Sequence, residues 1–303
     1  MSAAEGPFYD DAPMPTRDIV ADILDVRCAG PDLFTGSAGA NNHIGSIFGG
    51  RLLAQALLSA MMTVEHLPAS SLHAYFLAAG RTDLPLEYRI VRLRDSRRFA
   101  NRQVTAFQDG QAIFTLLAEF HAPEEGFFHQ DAIMPAVPPP ERVAPIQHFV
   151  RDRSAELDPA AVHNFAAAIP IEMRPVAPED YLLQRPVKAV RPFWFRQSGA
   201  AAIDDPRLQQ CLLAFASDYW LAGVTAVPHF LPTNSDEFLI SSMDHAIWFH
   251  RPARCGEWML HHTVSPSASD GLGLAMGQIF DREGRLIAST AQEALLRRLR
   301  PET

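Results

Sequence analysis

The chain has 303 residues, 48% of them hydrophobic and 20% charged, an ordinary globular composition that fits two hydrophobic cores or one large one. A formal charge of −9 excludes general nucleic-acid binding, which draws on many Lys/Arg–phosphate contacts, but leaves room for an anionic small molecule on a local basic patch. Cys28, Cys211 and Cys255 lack metal-ligand or disulfide-framework spacing, no apolar run approaches the ~18–20 residues of a membrane span, and MSAAEGPFYDD lacks a signal peptide's basic and apolar regions, so the expectation is a cytoplasmic protein.

In chain order, Thr16 to Val26 reads as a short helix and Leu33 to Thr35 as a first strand. Gly50 to Val64, GRLLAQALLSAMMTV, carries no charge after Arg51; a helix apolar nearly all round is a buried one. The pair Gly49–Gly50 opens it and would permit a close approach to the N-terminal N–H groups. HAYFL follows near residue 73, then Val104 to Phe120, a β-branched and aromatic run broken at Asp109–Gly110 as in a β-hairpin. Met134 to Pro145 holds five of the 24 prolines and reads as a stiff linker or surface excursion. Beyond it, Asp205 to Leu221 is a second helix pattern, with Asp205 as cap and Pro206 at the first helical position. HAIWF near residue 245 and a hairpin pattern from Gly277 to Leu295, turning at Glu283–Gly284, complete the series. The offsets are 172 residues at the His–Ala pair and 174 at the turns, which suggests an internal duplication. One buried helix followed by long antiparallel strands, twice over, predicts an α+β unit in which a sheet wraps a helix.

Most familiar catalytic motifs are absent. There is no GxSxG nucleophile elbow and no Walker A lysine. Gly271, Gly273 and Gly277 imitate a dinucleotide fingerprint, but the spacing is one residue too long and the segment runs into a strand pattern. Asp244, His245 and His250 invite a metal reading. Strand alternation opposes it, placing 244 and 250 on one face and 245 on the other, so an orienting or structural role fits these groups better. Asp218 stands out because it lies in the apolar run LLAFASDYWL, where a carboxylate is costly unless paired and its pKa shifts. The plainer alternative is that Asp218 sits at the helix's C-terminal end and reaches water or a backbone N–H. Gln292 in STAQEALL and Ser242 in LISSMDH are neutral polar groups in strand-like runs, and a satisfied surface position explains either one alone.

FASD with Asp218, SSMDHAIWFHRP from Ser241 to Pro252, and ASTAQE from Ala288 to Glu293 together resemble the acyl-CoA thioesterase II family. The first half agrees through IFGGRLLAQAL from Ile47, LHAYFL from Leu72, LRDSRRFANRQVTAFQDGQAIF from Leu93 and FHAPEEGFFHQ from Phe120. The resemblance implies a double hotdog, α+β, with two antiparallel sheets each wrapped around a long buried helix. The expected division is an N-terminal hotdog over residues 1–130, a Pro-rich linker over 131–165, and a C-terminal hotdog over 166–303 that carries the catalytic trio. It also implies hydrolysis of acyl-CoA thioesters, without metal or redox cofactor, by a homo-oligomer with no nucleic-acid or membrane partner. The family's Asp, Thr and Gln trio falls on Asp218, Ser242 and Gln292. Serine at 242 keeps the hydroxyl but loses the methyl that stiffens χ1. Ala78–Ala79 is a second departure, where the family often carries Arg–Pro.

In that reading Asp218 acts as general base on a water held by Ser242 and Gln292. Gly49 or Gly50 would offer a backbone N–H to the thioester oxygen, and His73 joins the substrate-binding set. The first helix has no Asp or Glu, which predicts a single trio per chain. Arg89 to Arg102 holds six arginines against one aspartate. Arg92, Arg94, Arg98 and Arg102 share a parity, so Arg98 and Arg102 are either phosphate contacts for coenzyme A or guards of an exposed strand edge. Two rivals stay open: a hotdog enoyl-CoA hydratase, whose Gly-Asp-x-Asn-Pro segment is absent here, and a non-catalytic acyl-CoA-binding module.

Overall fold

A computed structural model describes residues 17–39, 45–157, 159–166, 169–183, 188–229 and 238–299. Helix α1 (Arg17–Ile23) leads into strands β1 (Val26–Gly30) and β2 (Leu33–Gly36). Thr16 lies outside the described residues. The expected first strand is in fact the second arm of a hairpin that turns at Asp32, whose φ of 55° is left-handed. Helix α2 (Gly49–Met61) follows, then β3 (Ala69–Phe76), β4 (Leu86–Asp95), β5 (Phe99–Gln108) and β6 (Gln111–His121). Helices α3 (Ile146–Asp152) and α4 (Pro159–Ala166) stand between the halves, so the stretch expected as a linker contains helices of its own. The second half comprises β7 (Glu172–Pro175), α5 (Glu179–Leu182), β8 (Val190–Arg196), α6 (Pro206–Ser217), β9 (Phe238–Ser242), β10 (Asp244–Phe249), β11 (Met259–Ser269), β12 (Leu272–Asp281) and β13 (Leu286–Arg298).

Each helix has its sheet on one side and the other helix against it. From Gly50 to Met61 every residue of α2 is buried, as is every residue of α6 from Gln209 to Ser217. The polar members are satisfied, as burial requires. Tyr88 Oη donates to Gln55 Oε1 (2.9 Å), while Gln210 accepts from the Ala69 N–H (3.0 Å) and donates to the Ala69 carbonyl (2.7 Å). The two helices run antiparallel: Arg207 reaches the Met61 carbonyl at one end, and the Phe215 carbonyl lies against Gly50 at the other. Residues 206–229 are long and apolar enough to cross a membrane, but they form α6 and the 3-10 turns after it, mostly buried within the fold.

The two sheets join into one, in the order β1-β2-β4-β5-β6-β3-β10-β13-β12-β11-β8-β7, with every neighbouring pair antiparallel. The seam is β3 against β10, from Tyr75 opposite Asp244 to Ser71 opposite Trp248. β9 continues past β10 along β13, with Ser242 opposite Ala294. Two-residue turns at Asp109–Gly110 (φ 46° and 76°) and Asp270–Gly271 (φ 53° and 79°) carry the left-handed pair that tight hairpins need. The proline-rich segment lies across the outer side of β8 and β11, where Met134 and Val137 pack with Trp194 and Trp258, and Trp194 Nε1 donates to the Pro138 carbonyl (2.9 Å).

Pairing corrects the repeat offset. With Gly110 and Gly284 as equivalent left-handed turn residues, Leu116 corresponds to Thr290. Their partners, Ala74 and Ile247, then correspond at an offset of 173, not 172. The HAYFL/HAIWF match is therefore slipped by one residue, and such a slip reverses which face a side chain occupies. His73 points outward, against Trp248 (5.2 Å between ring centroids), while His245 points into the core.

Candidate active site

Asp218 caps the C-terminal end of α6, an unfavourable place for a carboxylate because the last carbonyls present the negative end of the helix dipole. The antiparallel packing answers this by bringing the N-terminus of α2 to the same point. The Gly50 N–H hydrogen-bonds the carboxylate, and burial pushes its pKa up to about 6 against the support of Gln292 and Gly50. Glycine is required at both positions of the pair. A Cβ on Gly49 would stand 2.7 Å from Asp218 Oδ2 and 2.9 Å from the Phe76 ring, and one on Gly50 would stand 2.4 Å from the Phe215 carbonyl oxygen. Phe48 closes this end against Phe215 and Tyr219, with ring centroids 5.2 and 4.4 Å away.

Gln292 enters from β13, where strand alternation puts it, Thr290 and Ala294 on the inner face. Its Nε2 donates to Asp218 Oδ1 (2.7 Å) and to His245 Nδ1 (3.1 Å). An amide nitrogen has only donors, so Nδ1 accepts and the imidazole proton sits on Nε2. That Nε2 donates to Ser217 Oγ (2.9 Å), which in turn donates to the Ala214 carbonyl (2.9 Å). His245 Nδ1 is 3.8 Å from Asp218 Oδ1, but burial pushes the imidazole down to about 3, so it is neutral and the two do not form an ion pair. Gln292 Oε1 is buried and has no hydrogen-bond partner among the described residues. Turning the carboxamide over would set that oxygen against both the carboxylate and the Nδ1 lone pair, and the two contacts together fix the assignment.

Asp218 and Gln292 are thus in direct contact. Ser242, half-buried at the end of β9, is diagonal to Gln292 on the same face, since it opposes Ala294; its hydroxyl bonds neither of the two. The Gly49 N–H has no partner among the described residues, and the Gly50 N–H beside it supports the Asp218 anion.

Two further expectations, those for His73 and Arg102, are corrected. His73 lies on the outer face of the sheet, away from this cluster. Arg102 is 1% exposed and holds the β4–β5 hairpin to α2's end: its nitrogens bond Asp95, Thr63, and the Arg94 and Asn101 carbonyls, leaving none for a phosphate. Arg98 is exposed near the turn and ion-paired to Glu124. The shared parity of the arginines breaks at a register shift between Arg92 and Arg94. Asp244, His245 and His250 do not converge: Asp244 Oδ1 accepts the Glu293 N–H (2.6 Å) and His250 Nε2 meets Ser289 Oγ (2.9 Å).

Sequence reasoning gave His245 only an orienting or structural role, without a partner, and did not single out Ser217. The readable signal was the alternation that set 245 opposite to 244 and 250. Among the described residues, the first half carries no second copy of the cluster. Counted from each helix's first residue, Asp218 corresponds to Met61. Strand pairing makes Leu72 the counterpart of His245 and Ala118 that of Gln292, all three apolar and buried.

Residues 163–295 match the family model described as acyl-CoA thioesterase, and residues 38–121 match the acyl-CoA thioesterase N-terminal domain. Acyl-CoA thioesterase 2 of Haemophilus influenzae is 37% identical over 252 residues, covering 83% of this chain and 87% of that protein. The crystal structure of an acyl-CoA thioesterase II, TesB2, from Mycobacterium marinum superposes with a TM-score of 0.75 at 34% identity, over 93% of this chain and all of that one. A protein of unknown function with hot dog fold from Alicyclobacillus acidocaldarius superposes with a TM-score of 0.75 at 22% identity, over 93% and 98% of the two chains, and supports the fold alone.

Proposed function

The chain belongs to the acyl-CoA thioesterase II family, and from that premise we propose that Asp218 and Gln292, with Ser242, hold and activate the water that cleaves the thioester. The protein is a double-hotdog thioester hydrolase acting on acyl-CoA; the finer assignment concerns which groups do the chemistry. One observation carries it: the carboxamide that donates to the buried Asp218 carboxylate has a buried oxygen, Gln292 Oε1, with no partner among the described residues. Leaving such an acceptor empty costs about 1–3 kcal/mol, and a water O–H satisfies it. The same water can direct its other proton to Asp218 and its lone pair to the acyl carbon. Ser242 is diagonal to Gln292 on the same face, a relation with a typical separation of roughly 7–8 Å, so a water bound at Oε1 would be the link between its hydroxyl and the other two groups.

The water oxygen bonds the carbonyl carbon as Asp218 takes its proton. The carbonyl electrons move onto oxygen, where the Gly49 N–H at the positive end of α2 can meet them. Collapse re-forms the carbonyl and breaks the carbon–sulfur bond. The proton on Asp218 passes to the departing sulfur, giving a carboxylic acid and coenzyme A without a covalent acyl-enzyme. With Met61 and Ala118, the first-half counterparts of Asp218 and Gln292, both apolar and buried, one such centre per chain follows.

Release of free thiol from acyl-CoA substrates of several chain lengths tests this reading. Asp218→Asn and Gln292→Leu are each expected to lower kcat by roughly 100-fold or more, the scale of losing a general base or its positioning partner. Retention of wild-type rates by either variant defeats the assignment. Hydration of an enoyl-CoA without thiol release would move the chain to the hydratase reading, and binding without either reaction to a carrier.

A further inference from the structure

The proposed water site depends on which way the Gln292 carboxamide faces, and that orientation is not set by Asp218 alone. We infer that His245 is a positioning residue: its neutral imidazole, anchored by Ser217, locks the Gln292 carboxamide with nitrogen toward Asp218 and oxygen toward the reacting water. The inference rests on the hydrolytic reading of the site and extends it to a side chain behind the reacting groups.

The proton directions form one consistent chain. Ser217 Oγ donates to the Ala214 carbonyl, so it must accept from His245 Nε2. With the proton on Nε2, Nδ1 has only a lone pair to offer, and it accepts the second amide hydrogen of Gln292. Both amide hydrogens are then used and Oε1 is left for substrate water. Remove the imidazole acceptor and the carboxamide keeps a single anchor, about which it can turn. His245 itself is 1% exposed and stays neutral, so it neither meets substrate nor exchanges a proton there.

A structural role alone would not call for histidine. The equivalent position in the first half is Leu72, fully buried, beside Ala118 where the second half has Gln292. Histidine and glutamine occur together in one half, leucine and alanine in the other, on the same framework. The charge environment is simple. Facing Asp218 are His245 from β10 and the Gly50 N–H from α2, with Tyr219 next in the chain; His261 on β11 is likewise neutral, and Arg51 on α2 is ion-paired to Asp22.

The test is thiol release from a medium-chain acyl-CoA across pH 5–9 for His245→Phe, His245→Asn, Ser217→Ala and the double variant His245→Phe/Gln292→Leu. Phenylalanine removes the acceptor; kcat is expected to fall roughly 10-fold or more with KM within about twofold, as for lost orientation. The acid limb of kcat/KM should also move to higher pH, because the Gln292 hydrogen bond that supports the Asp218 anion is weakened. Asparagine, whose side-chain oxygen can occupy the Nδ1 position, should restore the limb and most of kcat. In the Gln292→Leu background the His245→Phe change should cost nothing more. Ser217→Ala, which frees the tautomer, should shift the limb the same way by less and serves if His245→Phe does not fold. Wild-type kcat and limb in a folded His245→Phe or Ser217→Ala variant, or an equal penalty with and without Gln292, overturns the inference. Should Gln292→Leu or Asp218→Asn itself retain full activity, the water-site reading fails first and the inference falls with it.

Discussion

Asp218 ionises against its surroundings, since burial opposes the charge and only Gln292 Nε2 and the Gly50 N–H support it. Its folded-state pKa of about 6 lies above the unfolded value of 3.8, so the group contributes stability below about pH 3.8, and that contribution is lost as pH rises through about 6. Asp218→Asn is therefore expected to raise stability by about 2–3 kcal/mol at pH 8 and to change little at pH 4, read as the difference in urea midpoint between the two conditions. In the wild type, kcat/KM should decline as pH falls below about 6, as the base becomes protonated. Arg102 belongs to the same scale with the opposite meaning. A lone arginine in a basic run reads as a ligand contact, but its guanidinium is spent on Thr63, Asp95 and two backbone carbonyls. Arg102→Ala should lower stability by about 2–4 kcal/mol through orphaned buried acceptors, with KM for acyl-CoA unchanged in the folded fraction. A raised KM with wild-type stability would contradict that placement.

At the scale of elements, the site exists because α2 and α6 pack antiparallel and close. Gly50 admits the Phe215 carbonyl, and no flexible side chain can yield there. Gly50→Ala is expected to part the two helix ends, lowering kcat by roughly 10-fold or more because an ångström of misplacement suffices for that. Full activity would mean that α2 can shift without cost to the site. The helices were legible in the sequence. The apolar content, Asp205 and Pro206 all point one way, and Asp205 Oδ1 does cap the Arg207 N–H (2.8 Å). The face of His73 was not legible. Both halves carry His–Ala in a strand, and only pairing with β6 and β13 reveals the one-residue slip that turns one histidine out and the other in.

For the whole molecule, the decisive feature is the β3–β10 seam, which merges two sheets into one, and the α2–α6 contact beneath it. The halves should therefore unfold together. All four tryptophans, Trp194, Trp220, Trp248 and Trp258, lie in the second half, so tryptophan fluorescence reports that half while far-UV circular dichroism reports both. The two urea transitions are expected to coincide. Leu57→Ala, in the fully buried face of α2, should lower the fluorescence midpoint by an amount equivalent to about 2–5 kcal/mol although no tryptophan is near it in sequence. Separate transitions, with fluorescence unmoved by Leu57→Ala, would show that the halves are independent.

Apolar periodicity, capping residues and turn dipeptides are properties of the sequence itself, and they determined the two buried helices and the hairpins, while the family motifs FASD, SSMDH and STAQE marked Asp218, Ser242 and Gln292 as candidates. What a polar side chain meets depends on partners far away in the chain. Asp218 and Gln292 are 74 residues apart and His245 lies 47 from Gln292, while Gly50 comes from the other half. Antiparallel helix packing and strand register alone brought these groups to one point, and tertiary contacts likewise turned His73 to the outer face and tied up Arg102.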